Sequence, residues 1–327
     1  LLTNAPPSSR RTAFQRMIAL GLAPEKSSET IQWLDSFVAA RPGDDLLDLA
    51  RLTLGELRLD QYRASRLLPA SGTPEGRNAL SNLLQQARAQ FDIVITNYSA
   101  SPLVGRAYLG RGWSLWEEGT NRLGDMLLSF KAATEKLTDP AQQAVARFKL
   151  GDAQALSGDL AAARSNYWAV ATNYTGALGL TNTLISQALF QAVRASIDLN
   201  DMSGATVNSQ KLVEADAGSE LAQRAELLVA NALNRQGNPQ AARATLENFL
   251  KQFTNSVLLP EVRLAIGQTY EQQNALQDAI AVLQSWLEAY GEQTNVPPTL
   301  IAQAWFDLAR LSYRIKPDTN AVTLLSN

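Results

Sequence analysis

Small apolar residues recur in phase along most of the chain. One of them occurs seven times, with last five intervals of 39, 42, 37, 37 and 42 residues, and a second small residue follows nearly every one by five positions. The first set is Ala50, Ala107, Ala146, Ala188, Ala225, Val262 and Ala304, and the second is Gly55, Gly112, Gly151, Ala230, Gly267 and Ala309, with Val193 as the exception. A helical pattern with this period predicts stacked pairs of helices, and the small residue lets the two helices of a pair approach closely.

Residues that favour helix ends occur at fixed positions in the same units. Twelve positions after the first small residue come glycine or asparagine, which tolerate the left-handed conformation that closes a helix: Gly119, Gly158, Asn200, Gly237 and Asn274. N-cap residues follow directly at Asp159, Asp201 and Asn238, the last of them before Pro239. The pattern therefore predicts a short turn inside each helix pair.

These signals predict fourteen helices in alternating order. First helices are predicted near 44–61, 103–118, 142–157, 183–199, 219–236, 258–273 and 298–315. Second helices are predicted near 27–40, 77–97, 121–137, 160–173, 202–215, 239–253 and 276–290. The small residue of the second helices is Ala163, Ala205, Ala242, Ala279 or Ala321, and a larger apolar residue such as Tyr167, Leu246 or Leu283 follows four positions later.

Over residues 27–327 this pattern resembles the tetratricopeptide repeat (TPR) family, whose 34-residue unit carries small residues at its eighth and twentieth positions. The stretch from Tyr98 to Pro102, leading into Ala107 to Gly112, resembles the repeats of bacterial cell-envelope proteins, including outer-membrane assembly lipoproteins and TolA-binding proteins. The resemblance implies an all-α fold, an α-solenoid of stacked antiparallel helix hairpins in a right-handed superhelix. It also implies protein partners and a bacterial periplasmic or cell-surface location, with the cytoplasm as the alternative.

The chain divides by composition into four predicted segments. Residues 1–9 are predicted to be a linker. Residues 10–62 are predicted to form N-terminal helices and the start of the first repeat. Residues 63–76, with two prolines and two glycines, predict an inserted loop, and residues 77–327 predict repeats of which the last is incomplete. Because the pattern starts a second helix at 321–325 and stops, we expect a piece of a larger repeat protein, which an intact mass of the native protein would test.

Charge and composition exclude several classes of binding and catalytic site. With 29 basic and 31 acidic residues and a net charge of −2, the chain lacks the basic excess that nucleic-acid binding requires. It has no cysteine and no histidine, which excludes thiolate nucleophiles, Ser-His triads and His or Cys metal sites. The tightest acidic groups, Asp44–Asp45 with Asp48 and Glu117–Glu118, are expected to be structural. We therefore expect no enzyme activity, no metal and no cofactor.

The candidate site follows from the resemblance, which places the first helices on a concave face. Side chains three before, one after and four after the small residue point into that face, and arginines flank them. The predicted partner-binding residues are Arg106, Leu109, Trp113, Trp116, Phe148, Phe190, Arg194, Arg224, Asn231 and Arg310. Aromatic residues and arginines dominate binding hot spots, so the set is typical of a surface that binds a peptide or helix.

Three alternatives stay open from the sequence. The apolar members could pack between units while the arginines are solvated. The solenoid could assemble with copies of itself, or it could be a non-catalytic part of a larger complex. TPR domains that grip a C-terminal carboxylate use a Lys and Asn set, whereas the corresponding places here hold Leu109, Trp113, Phe148 and Asp152. A chaperone-tail receptor is therefore not expected.

Overall fold

The computed structural model describes residues 6–21, 26–177 and 182–316, apart from the side chain of Ala70. In these ranges the regular elements are fifteen α-helices and two short 3₁₀ turns, Pro69–Gly72 and Thr120–Arg122. The helices are α1 (Pro7–Gly21), α2 (Ser27–Ala40), α3 (Leu47–Ser65), α4 (Pro74–Asn97), α5 (Val104–Glu118), α6 (Leu123–Lys136), α7 (Pro140–Leu156), α8 (Leu160–Asn173), α9 (Asn182–Asp198), α10 (Met202–Asp216), α11 (Glu220–Arg235), α12 (Pro239–Gln252), α13 (Leu259–Gln272), α14 (Leu276–Tyr290) and α15 (Pro298–Ile315).

The helices pack as consecutive hairpins within two compact units, unit 1 (residues 1–180) and unit 2 (residues 181–327). In unit 1 the main pairs are α3 with α4, α5 with α6 and α7 with α8. In unit 2 they are α9 with α10, α11 with α12 and α13 with α14. The prediction of an all-α fold built from helix hairpins is confirmed, and the helix ends lie within a few residues of those predicted.

The predicted turn chemistry is present at each position. The five glycines and asparagines all have positive φ angles, which are 93° at Gly119, 84° at Gly158, 60° at Asn200, 79° at Gly237 and 59° at Asn274. The side chains of Asp159, Asp201 and Asn238 each accept a hydrogen bond from the backbone N–H three residues later. Local sequence therefore sets where α8, α10 and α12 begin.

Close approach between paired helices depends on the small residues. A β-carbon added at Gly112 of α5 would lie 2.6 Å from the ring of Phe130 on α6. At Gly151 of α7 it would lie 2.8 Å from the ring of Tyr167 on α8. Because each aromatic ring fills the space of the missing side chain, the two hairpins close tightly around it.

The predicted linker 1–9 is corrected in its last part, because α1 begins at Pro7. Phe14 and Ile18 of α1 lie in a buried cluster with Leu34 of α2 and Leu54 of α3. Arg10 of the same helix forms ion pairs with Asp44 and Asp45, just before α3, at N–O distances of 3.0 and 3.2 Å. Arg11 forms an ion pair with Asp48 of α3 at 2.9 Å. The local composition, rich in proline and serine, is typical of a linker. Proline is nevertheless compatible with the first turn of a helix, and packing against α2 and α3 stabilises this one.

The predicted inserted loop is shorter than residues 63–76. Helix α3 continues to Ser65, and α4 begins at Pro74 with Thr73 accepting a hydrogen bond from Gly76 N. Only residues 66–73 therefore connect the two helices. Residues 1–5 of the predicted linker and the predicted helix start at 321–325 lie outside the described residues.

Candidate functional site

Unit 1 contains a groove of about 610 Å³ between α1, α3 and α5. Its lining is Gln15, Ile18 and Ala19 of α1, seven residues of α3, Arg106, Leu109, Gly110 and Trp113 of α5, and Gln142 of α7. The α3 residues are Leu49, Thr53, Glu56, Leu57, Leu59, Asp60 and Arg63. Three predicted site residues, Arg106, Leu109 and Trp113, thus share one concave surface.

An ion pair crosses this groove. Nη2 of Arg106 donates to both carboxylate oxygens of Glu56, at 2.8 and 2.9 Å. Burial raises the pKa of Glu56 above its ordinary value; Arg106 opposes the rise and the negative charge of Asp60 adds to it. The carboxylate of Glu56 is therefore only partly stabilised by its single basic partner.

Trp113, which lines the groove, has two cations close to its ring. The guanidinium carbon of Arg63 lies 5.1 Å from the ring centroid, and Nζ of Lys149 lies 5.0 Å from it. The ring of Phe130 meets Trp113 edge-on at 6.2 Å. These neighbours hold a half-buried tryptophan in one orientation at the surface of the groove.

Trp116 and Phe148 lie beside the groove in a cluster around Lys149. Nζ of Lys149 is 4.2 Å from the ring of Trp116 and 5.6 Å from the ring of Phe148. Lys149 is fixed by Asp152 at 2.8 Å, and Asp152 also accepts a hydrogen bond from the Tyr167 hydroxyl. Phe148 is only 8% exposed because it packs on Tyr167, so it is a packing residue in the described structure.

The five predicted residues of unit 2 are dispersed over α9, α11 and α15. Phe190 and Asn231 are half-buried, whereas the exposed Arg194 and Arg224 bond within their own helices, to Gln191 and Glu220. Within residues 182–316, no hydrogen bond or ion pair joins one of these five residues to another.

Arg310 belongs to a charged network between α13 and α15. It binds both oxygens of Glu271 and, at 2.7 Å, Asp307, while Arg314 adds a 3.3 Å contact to Glu271. Hydrogen bonds from Arg310 lower the pKa of Glu271, and the same bonds raise the pKa of Arg310. Arg310 thus has structural partners in addition to its predicted role.

Several groove residues were not among those predicted. Glu56 occupies the inner-face position directly after Gly55, so extending the register to the first unit would have found it. Arg63 and Lys149 contribute through contacts with rings on other helices, which spacing along the chain does not reveal.

In the described ranges, no cluster of three His, Cys, Asp or Glu side chains could hold a metal. Among the helices of the described residues, none combines the length and the hydropathy of a membrane span.

Comparisons with known proteins agree with this architecture. The family model for the tetratricopeptide repeat matches residues 227–294, from the second half of α11 to just beyond α14. A comparison with curated protein sequences gives no match.

Solved structures give further likenesses. The chain is similar to a tetratricopeptide repeat protein from Parabacteroides merdae, at 14% identity over 82% of this chain and 98% of that chain, with a TM-score of 0.45. It is also similar to the apo form of RapI, at 10% identity over 91% of this chain and 84% of that chain, with a TM-score of 0.51. The likeness to RapI is one of fold. The match to the tetratricopeptide repeat family thus covers residues 227–294 of this chain.

Proposed function

We propose that this protein is a non-catalytic interaction module and that the groove of unit 1 holds a segment of a partner protein. The observation that carries the proposal is the joint placement of Arg106, Leu109 and Trp113 on one groove between α1, α3 and α5. Its volume lies in the range of clefts that bury small ligands, so a short stretch of a partner fits it.

The chemistry of the lining supports peptide recognition. Ile18, Leu57 and Leu109 supply apolar surface, and Trp113 supplies a large ring already held by Arg63 and Lys149. A side chain fixed before binding loses little conformational entropy when a partner arrives. The indole N–H of Trp113 has no acceptor among the described residues, so it remains available to a backbone carbonyl of the partner.

Selection from a displayed library of random heptapeptides tests the proposal. We expect enriched peptides that bind Trp113→Leu and Leu109→Ala variants at least tenfold more weakly. The matched control is Arg235→Gln, which removes an exposed arginine of unit 2 outside the predicted site and should leave affinity unchanged. Circular dichroism verifies that each variant is folded. The proposal fails if no peptide is enriched, or if every enriched peptide binds the groove variants as tightly as the parent.

A second candidate function, self-association through α15, is favoured by one observation. Phe306, three positions before the small residue Ala309, is 52% exposed, whereas Leu227 and Leu264 in the same register are 9% and 2% exposed. Tyr313 on the same helix is 54% exposed. A second copy of the chain would cover these rings. Light scattering over a concentration series should then show growth that the Phe306→Ser/Tyr313→Ser variant lacks, and a concentration-independent monomer would exclude it.

We also propose that the module works in a bacterial cell envelope. The absence of cysteine, the small share of charged residues and the resemblance of the 98–112 stretch to envelope repeats support this location. Fractionation of the source cells, with the protein followed by antibody, tests it. Recovery in the envelope fraction is expected, and recovery only with cytoplasmic markers would overturn the proposal.

A further inference from the structure

Two carboxylates stand one helical turn apart on the α3 wall of the groove. Glu56 and Asp60 both line it, and their spacing of four residues puts them on the same face of the helix. Like charges at this spacing repel each other. The negative charge of Asp60 accordingly adds to the rise in the pKa of Glu56. The α3 wall therefore brings two carboxylates together on one face of the groove.

Most of the hydrogen-bonding capacity of these carboxylates is unused. A carboxylate offers about four acceptor sites, yet Glu56 receives only the Nη2 group of Arg106. The nearest cation to Asp60 is Nη1 of Arg63 at 3.4 Å, and the Asp60 side chain is 69% exposed. Arg63 is shared with Glu117, 3.7 Å away, and with the ring of Trp113. Glu56 thus has Arg106 as its one close cation, and Asp60 has only a cation that it shares.

The surroundings of the pair suit a long side chain with a charged end. Leu57 and Leu109 line the same groove as Glu56 and Asp60, so an aliphatic stem can lie on apolar surface while its charge reaches the carboxylates. An anion has a poorer fit. Arg106 already binds Glu56, so an anion on Arg106 would lie against a carboxylate whose charge is partly desolvated.

We propose that the partner segment assigned above to this groove contributes one lysine or arginine side chain, whose cationic end binds Glu56 and Asp60. This inference rests on the proposed function and adds the chemical class of the recognised residue. Charge complementarity with the α3 wall, rather than with Arg106, sets which segments the groove accepts.

The same heptapeptide selection separates this inference from the function on which it rests. Peptides enriched on the parent protein should carry lysine or arginine at one fixed position. Replacing that lysine by norleucine, or that arginine by citrulline, should weaken binding about tenfold. Glu56→Gln and Asp60→Asn should each weaken the basic peptide and leave the neutral analogue unchanged. Asp60→Asn changes only an exposed carboxylate, so it keeps the test valid if Glu56→Gln disturbs folding.

Glu220→Gln is the control, since it removes an exposed acidic charge of unit 2 and should leave peptide affinity unchanged. Peptides that depend on Trp113 but lack a conserved basic position, or that conserve an acidic one, would overturn this inference and keep the binding function. The absence of any enriched peptide would overturn both. Weaker binding of the basic peptide at 0.5 M NaCl is expected, and salt-independent affinity would contradict the ion pairing.

Discussion

Gly110 of α5 presents bare backbone to the ring of Phe91 on α4, and a β-carbon at position 110 would overlap the ring. The same ring also lies against Gly55 of α3, where an added β-carbon would be 2.6 Å from Cε1. Phe91 is fully buried and thus touches both helices that carry the groove walls. The ring therefore sets the distance between α3 and α5, and with it the pairing of Glu56 with Arg106.

Gly110→Ala should destabilise the protein by up to roughly 2 kcal/mol net, because the added methyl group overpacks a filled core at a cost of roughly 1–3 kcal/mol. This cost exceeds the gain of about 1 kcal/mol that alanine brings to a helix interior. Chemical denaturation measures the difference. The control is Gly124→Ala on α6, where an added β-carbon meets no atom within 4 Å. It should leave stability unchanged or raise it by a few tenths of a kcal/mol. Equal effects of the two substitutions would contradict the role of Phe91.

Asn274→Val should destabilise unit 2 by roughly 1–2 kcal/mol, because a β-branched residue is strained at a φ of 59°. Asn274→Gly should be tolerated, since glycine adopts this conformation without strain. Thermal unfolding of both variants is the measurement. If valine were accepted as well as glycine, the turn between α13 and α14 would not require a left-handed residue.

Glu226→Gln should stabilise unit 2 at pH 7. Burial raises the pKa of Glu226 above its ordinary value of 4.5, and no hydrogen bond or ion pair to another described residue offsets it. The folded state therefore holds the proton more tightly, and stability present below pH 4.5 is lost as the pH rises through the raised pKa. Glutamine removes this loss. Denaturation should show that the Glu226→Gln variant is more stable than the parent at pH 7 but not at pH 4. A gain in stability of equal size at both pH values would point to another cause.

Glu271→Gln should cost about 1 kcal/mol at pH 7, because Arg310 loses one of its two charged partners and keeps Asp307, while its half-exposed position limits the effect. The lowered pKa of Glu271 fixes the sign of the pH dependence. Its contribution is present above pH 4.5 and is lost as the pH falls through the lower folded value. The stability difference between parent and variant should therefore shrink in acid. Exposed Glu247 on α12 supplies the control Glu247→Gln, for which no pH-dependent difference is expected.

Local signals in the sequence predicted the helix hairpins well. Asparagine or glycine at the turns and Asp or Asn at the N-caps have local effects on backbone conformation, so their type and position were sufficient. The start of α1 was missed because Pro7 and two serines read as linker. Its helix depends instead on Phe14 and Ile18 packing on α2 and α3, which is a tertiary effect.

The groove was predicted only in part. The repeat register located Arg106, Leu109 and Trp113, since periodic residues on successive helices face the same way. Phe148 shared that register but is covered by Tyr167 of the next helix, and the amount of cover depends on side-chain size across a hairpin. The importance of Glu56 and Asp60 depends on their unused acceptor capacity, with Arg106 near Glu56 and a shared Arg63 near Asp60, which only distances can show.

Each helix of a unit has its largest packing partner in a helix directly before or after it in the chain. Contacts between residues close in sequence need little loop closure, so such architectures acquire their structure on the microsecond-to-millisecond scale. Because the turn and cap chemistry of a hairpin is encoded within the hairpin, recombination can duplicate or delete one without rewriting the others. The length of this protein is therefore a property that evolution can adjust in steps of about forty residues.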